Sequence, residues 1–260
     1  MAREDGRGSL PPHPALGDYY ADEAGHHRFL DSMFEATARH YDGLNGLVSL
    51  GSGDRYRRHA LRKAGLTQGM ALLDVATGTG LVARAGRALV GPTGRVTGLD
   101  RNAGMLAQAR RATDGPLVRG VAERLPFRDA SFDFLSMAYA LRHVTDLEIT
   151  FREYLRVLKP GRTVLILEFA RPRSRVGLAV GRLYLKRIVP WLARLRSGSR
   201  EAEILMSYCW DTVEHCVPGE LIEDALRRAG FEGVRRTGWF GVFVEYVGRK
   251  PAAGPAAVTP

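Results

Sequence analysis

Between residues 71 and 169 short apolar runs alternate with segments of helical period, and no other feature of this 260-residue chain restricts its fold as tightly. Ala71-Leu-Leu-Asp-Val-Ala76 reads as a buried strand and 81–89 as a helix. A second strand spans 94–100, a helix lies around 105–112, and 116–120 is a third, short strand. A fourth strand covers 132–137. The helix at 150–158 is broken by Lys159-Pro160-Gly161 ahead of a fifth strand at 162–169. Strands separated by helices need crossovers, so the strands run parallel and helices cover both faces of the sheet. After residue 218 the rhythm changes. A helix closes at Gly230, and strands at 231–239 and 241–248 follow with a tight turn between them, which makes an antiparallel pair.

Composition narrows the class. Apolar residues at 45% and charged residues at 25% exclude a disordered or fibrous chain. Cys209 and Cys216 have no companion Cys/His set, so neither a disulfide framework nor a zinc site is expected, and a reducing cytoplasm fits. The net charge of +10 is local: nine basic residues and no acid lie between Arg171 and Arg200. The most apolar stretch, 176–195, is interrupted by Arg182, Lys186, Arg187 and Arg194, whereas a membrane span needs about 20 largely uncharged residues. Residues 1–24, rich in Gly, Pro and acids, read as a disordered arm before a domain over 25–250. That domain carries a basic amphipathic insertion at 171–200, and 251–260 reads as a flexible tail.

The first strand runs straight into Asp74-Val-Ala-Thr77-Gly78-Thr79-Gly80. Glycines at such a turn let backbone approach a ligand, and the following helix N-terminus offers unpaired N–H groups. About 20 residues past Gly80 the second strand ends in Asp100, placed to accept from a ribose diol. Gly78-Thr-Gly80-Leu-Val-Ala83 also satisfies G-x-G-x-x-A, so NAD(P) competes with S-adenosylmethionine at this point. Three features favour the latter: Asp74 inside the end of the first strand, Ala122-Glu-Arg-Leu-Pro126 after the third, and Leu158-Lys-Pro-Gly161 before the fifth. In that order these segments resemble the class I methyltransferases, a Rossmann-like fold whose seven-stranded, mostly parallel sheet ends in an antiparallel C-terminal strand.

Two segments carry the resemblance further. Tyr41-Asp42-Gly-Leu-Asn45-Gly-Leu-Val-Ser49 and Ala140-Leu-Arg142-His143-Val-Thr-Asp146, with Leu167-Glu168-Phe169, are similar to the ubiquinone/menaquinone C-methyltransferase family. The chain departs from that family's usual pattern at Gly46, Leu81, Ala138, His143 and Arg162. The resemblance implies S-adenosylmethionine-dependent C-methylation of a prenylated quinol, of demethylmenaquinol or methoxy-polyprenyl-benzoquinol type. The first strand's end and the glycine turn place the cofactor at Asp74, Thr77, Gly78 and Gly80, and the resemblance carries contacts to Thr79, Asp100, Val121, Ala122 and Ala138. A soluble aromatic or secondary metabolite is the alternative acceptor. An NAD(P)-dependent oxidoreductase is the alternative of another class, and it lacks a recognisable Tyr/Lys pair.

A methyl sulfonium is electrophilic by itself, so a metal is not required; the reaction wants positioning and a base for the phenol proton. Arg142 stays cationic and suits a developing phenolate, while His143, with a reference pKa of about 6.5, suits the base; a structural histidine is the competing reading. Tyr41, Asp42 and Asn45 share a helix face that would cap the donor site. In the basic insertion Leu178, Leu185, Val189 and Leu192 fall within about 60° on a helical wheel, and Pro190 should kink the helix. An apolar stripe flanked by cations suits an anionic membrane surface and peripheral attachment; a core-packed helix with a basic outer face is the competing reading. No nucleic-acid partner is expected, because no recognition motif accompanies the arginines. Oligomeric state stays open, a homodimer included. His26 and His27 read as solvated side chains.

Overall fold

The computed structural model describes residues 9–49, 51–172, 174–239 and 243–252. In chain order they form α1 (Glu23–Thr37), α2 (Tyr41–Ser49), α3 (Gly53–Lys63), β1 (Ala71–Val75), α4 (Leu81–Val90), β2 (Arg95–Asp100), α5 (Ala103–Ala112) and β3 (Leu117–Arg119). There follow β4 (Phe132–Ala138), α6 (Leu147–Val157), β5 (Leu158–Phe169), α7 (Arg175–Leu183), α8 (Val189–Ser197), α9 (Arg200–His215), α10 (Gly219–Arg228), β6 (Glu232–Trp239) and β7 (Phe243–Arg249). Asn102, Asp146 and Ser199 each cap a helix by accepting from a backbone N–H three residues on, a contact worth about 1 kcal/mol.

The seven strands form one sheet in the order β3-β2-β1-β4-β5-β7-β6. The first five are parallel, and β7 is antiparallel to both its neighbours. This is the expected Rossmann-like class I methyltransferase topology. The last strand does not extend the edge; it inserts beside β5, pairing from Thr163↔Arg249 to Phe169↔Phe243.

Successive strand residues point to opposite faces and build two cores. Leu73, Leu135 and Val164 pack with Phe151, Tyr154 and Leu226 of α6 and α10. Leu72, Phe134 and Leu165 pack with Leu61, Val82 and Ala83 of α3 and α4. Each buried leucine contributes about 1.5–3 kcal/mol. Strand order reverses between β1 and β4, which opens a crevice beyond their C-terminal ends, where ligands bind in open α/β sheets.

One reading of the sequence needs correction. Residues 1–24 were expected as a disordered arm, yet residues 9–22 lie along the domain. Leu10 N–H donates to Asp146 Oδ2 (2.9 Å), the Pro12 carbonyl accepts from Val217 N–H (2.8 Å), and His13 and Tyr20 are buried. An extended segment held by its backbone has no period for a sequence to reveal. Residues 1–8, and 253–260 of the expected tail, lie outside the described residues.

Residues 171–200 also depart from a single amphipathic helix. Between α7 and α8, Tyr184–Ile188 form a π-helical turn just ahead of Pro190, whose ring nitrogen donates no hydrogen bond. The expected stripe of Leu178, Leu185, Val189 and Leu192 faces the protein: Val189 is buried and the other three are half-buried. The opposite face carries Val176, Val180, Leu183, Ile188, Trp191 and Leu195, with Trp191 59% and Leu195 69% exposed. With one residue absorbed by the π turn, at about 100° per residue, these six align within about 80°. The helix is thus apolar on two sides. Among the described residues no helix is long and apolar enough to cross a membrane.

Candidate active site

Backbone geometry makes the floor of the crevice. Gly78 and Gly80 adopt φ of +57° and +85°, in the left-handed region that favours glycine. A Cβ on Gly80 would press on Ala112 Cβ at 3.3 Å, whereas one on Gly78 would meet no atom within 4 Å. Gly80 is therefore required by packing against α5, and Gly78 opens onto free space. Ala76 and Tyr139, which follow β1 and β4, also take positive φ, at +53° and +58°. Strained residues of this kind gather at functional sites because the surrounding fold over-determines them.

Carboxylates tie this floor together. Asp74 accepts from the hydroxyls of Thr77 and Ser136, both at 2.7 Å, and burial pushes its pKa up to about 6. Asp100 accepts from Gly78 N–H (2.8 Å) and Asn102 N–H (2.9 Å), one on each oxygen. Burial raises its pKa, against those two bonds. Thr79 donates to Asp42 of α2, which draws the N-terminal helices over the turn.

Of the expected site residues, Tyr41, Gly78, Asp100, Val121, Ala122, Ala138 and His143 line one cavity together with Phe34, Leu99 and Met105. Asp74, Thr77, Thr79 and Gly80 shape its floor without lining it. A second cavity adjoins it, with Phe34, Tyr41, Tyr139 and His143 as common walls, and adds Arg142, Phe169, Met206, Tyr208 and Cys209.

Arg142 is buried and paired with Glu168 (Nη1 to Oε1, 2.5 Å). Its Nη2 donates to Cys209 Sγ (3.3 Å), and its guanidinium carbon lies 5.6 Å from the Phe169 ring centre. The attraction of Glu168 holds it cationic against the desolvation of burial, so it cannot serve as a base. His143 sits parallel to Tyr208, with ring centres 5.8 Å apart, and edge-on to Phe34. Burial and the neighbouring Arg142 charge hold its pKa well below the usual histidine value, so it is neutral at pH 7; its buried Nδ1 has no hydrogen-bond partner. Burial also pushes Tyr41 up to about 12, which leaves its hydroxyl protonated.

The sequence reading assigned no role to Glu168, Tyr139, Phe169, Tyr208 or Cys209. Glu168 carried a usable signal, a carboxylate at the C-terminal end of a buried strand. Tyr208 and Cys209 carried none, since in α9 they look like ordinary helix residues. His26, expected in solvent, is buried: its Nε2 is hydrogen-bonded to Tyr208 hydroxyl (3.1 Å), and burial lowers its pKa to about 4. His27 is bonded to Arg101. These contacts join α1 to α9 and to the β2 end, a convergence that local sequence does not encode.

The profile of the ubiE/COQ5 methyltransferase family matches residues 22–250. The ubiquinone/menaquinone biosynthesis C-methyltransferase UbiE of Shewanella woodyi is 34% identical over 212 residues, covering 79% of this chain and 83% of that protein. Demethylmenaquinone methyltransferase of Staphylococcus aureus is 33% identical over 237 residues, covering 88% and 96%. Among solved structures, an S-adenosylmethionine-dependent methyltransferase of Thermotoga maritima, titled a possible histamine N-methyltransferase, shares the fold with a TM-score of 0.60 at 21% identity. It covers 85% of this chain and 99% of its own. One from Aquifex aeolicus gives 0.57 at 18%, covering 80% and 98%.

Proposed function

The chain belongs to the ubiE/COQ5 methyltransferase family, and on that premise we propose that its acceptor is a prenylated hydroquinone, of demethylmenaquinol or methoxy-polyprenyl-benzoquinol type, methylated at a ring carbon. The enzyme is an S-adenosylmethionine-dependent methyltransferase. The donor cavity fits that cofactor. Each oxygen of Asp100 accepts one backbone N–H and keeps a lone pair for a ribose hydroxyl. Leu99, Val121 and Ala122 offer an apolar slot for a purine, and the unfilled space at Gly78 lets a ligand lie against backbone. Bound there, S-adenosylmethionine supplies a methyl group on a positively charged sulfur.

The observation that carries the acceptor reading is the second cavity. Its walls are mostly aromatic and apolar, with Asn45 among them; it shares Tyr41 and His143 with the donor cavity, and it holds one buried cation, Arg142. Aromatic side chains of this kind favour an aromatic ring as their partner, and Arg142 stabilises the phenolate whose charge makes the ring carbon nucleophilic. In this reading His143, which lines both cavities and has an unpartnered Nδ1, takes the proton; burial and the Arg142 charge make it a weak base, so it depends on Arg142 to acidify the phenol. Tyr41, protonated, donates to the acceptor oxygen, and α2 excludes water by closing over the glycine turn through Asp42.

The same reading places the enzyme on an anionic membrane, where such acceptors reside. Its support is the outward apolar line from Val176 to Leu195. Arg182, Lys186 and Arg194 are neutralised by Glu214, Asp211 and Glu203. Among the described residues no acid pairs with Arg175, Arg187 or Arg196, which leaves cations for lipid phosphates.

Two experiments test these statements. Purified enzyme with S-adenosylmethionine and a chemically reduced demethylnaphthoquinone or methoxy-benzoquinone should yield a product one methyl heavier by mass spectrometry; exclusive methylation of soluble non-quinol aromatics would overturn the acceptor assignment. Sedimentation with anionic vesicles should show binding that weakens with salt and is lost in a W191E/L195E variant. Binding to neither anionic nor zwitterionic vesicles, with self-association through this face instead, would overturn the membrane assignment.

A further inference from the structure

The acceptor cavity does not end at its aromatic walls. Phe169, Met206 and Cys209 also bound a small apolar cavity completed by Leu185, Val189, Trp210 and Val213. Phe169 and Leu185 in turn form part of a groove of about 1180 Å³ between α7 on one side and β7 with the start of α10 on the other. Leu178 and Gly181 line its α7 wall, and Val217, Ile222 and Val244 its far wall. Charged residues are set among this apolar lining: Arg171, Glu220 and Arg236. Val180 belongs both to the groove and to the outward apolar line of α7.

Three cavities therefore share walls in series, from the small pocket of about 30 Å³ beside Arg142 to a groove that meets the outward face of α7. The ring site accounts for the first of these and leaves the groove without a role. We propose that the groove holds the isoprenoid chain of the acceptor, entering past Phe169 and leaving beside Val180 toward the lipid. The inference rests on the prenylated-quinol reading above and adds the place where the chain lies. A mostly apolar lining suits a hydrocarbon with no hydrogen-bonding groups, and burial stabilises it in proportion to the apolar area removed from water. Phe169 is the narrow point: it packs on Tyr139 and Phe243, with ring centres 4.7 and 5.4 Å away, and it stands in all three cavity walls.

The test compares a hydroquinone bearing a geranylgeranyl chain with the same ring lacking any chain, both supplied in the same detergent micelles so that no membrane step intervenes. Leu178→Trp and Val217→Trp fill the groove from opposite walls. Each should lower the ratio of kcat/KM for the long-chain acceptor to that for the chain-free ring at least tenfold, through KM. A thermal melt and S-adenosylmethionine affinity matching wild type confirm that each variant is folded. A second measurement needs no variant: a diazirine placed on the isoprenoid chain, photolysed on wild-type enzyme, should label peptides containing Leu178, Leu185 or Val217. An unchanged ratio in both folded variants, or labelling confined to the peptide with Trp191 and Leu195, overturns the groove while leaving the prenylated-quinol reading standing. Failure of wild type to methylate either hydroquinone overturns both.

Discussion

Around the donor cavity the backbone itself makes the floor, whereas around the acceptor cavity side chains from distant parts of the sequence make the wall. The donor floor is two strand ends, two glycines at positive φ, and an Asp100 carboxylate that gathers neighbouring N–H groups. These elements follow one another within about one βαβ unit. The acceptor wall joins Arg142 to Glu168, and His26 of α1 to Tyr208 of α9, across 182 positions. On the proposed assignment, the contrast teaches that cofactor binding is built into the sheet, while acceptor recognition depends on how the helical cover packs on it. Damage to the floor should therefore read out as cofactor affinity, and damage to the wall as stability, turnover and pH response.

The largest effect is expected where the wall holds charge. Arg142→Met leaves Glu168 buried without its partner, and should destabilise the protein by about 3–5 kcal/mol in chemical denaturation. The double variant R142M/E168M should recover most of that loss, although not the activity. Equal destabilisation in both would show that the ion pair is not what holds this wall. Next in size, His143→Ala should lower kcat about a hundredfold, the usual scale for a proton acceptor. Because the wild-type imidazole stays neutral until well below pH 6.5, the wild-type rate should hold from pH 8 to 6 and fall only in stronger acid. A variant with full turnover across neutral pH would leave His143 a structural residue.

On the floor, Asp100→Ala should weaken S-adenosylmethionine binding by about tenfold to a hundredfold in calorimetry, the scale of charge-assisted hydrogen bonds, with little change in acceptor KM. Comparable loss on the acceptor side would erase the distinction between the halves. The smallest effect sharpens the account of the cover. His26 has a folded pKa near 4, against about 6.5 when unfolded, so acid adds protons preferentially to the unfolded chain. Its stability contribution is intact above pH 6.5 and declines as pH falls toward 4. Relative to H26F, wild type should lose on the order of 1–2 kcal/mol between pH 7 and 5. A constant difference between the two would mean that His26 is not the titrating group.

How much of this was legible depended on sequence distance. Asp74, Gly78, Gly80 and Asp100 announce themselves because strand, turn and following strand are written consecutively. Asp42 and Tyr41 were readable as a capping face, although Thr79 as the partner of Asp42 was not. The outward line from Val176 to Leu195 was missed because a regular wheel assumes about 3.6 residues per turn, and the π turn before Pro190 shifts the register by one residue. The opposite stripe, which was read, packs inward. Residues 9–22 were missed because they dock through backbone bonds and a few side chains without any period.

The sequence by itself determined the parallel sheet, the glycine turn with its acid, and the family, because each is specified by residue types at short, fixed spacing. Only the tertiary structure decided which apolar face of α7 and α8 meets solvent, that β7 lies between β5 and β6, and that Arg142 is a paired cation and His143 a buried, neutral imidazole. Those outcomes depend on desolvation and on partners supplied by remote elements, and burial is a property of the packed chain that no local pattern carries.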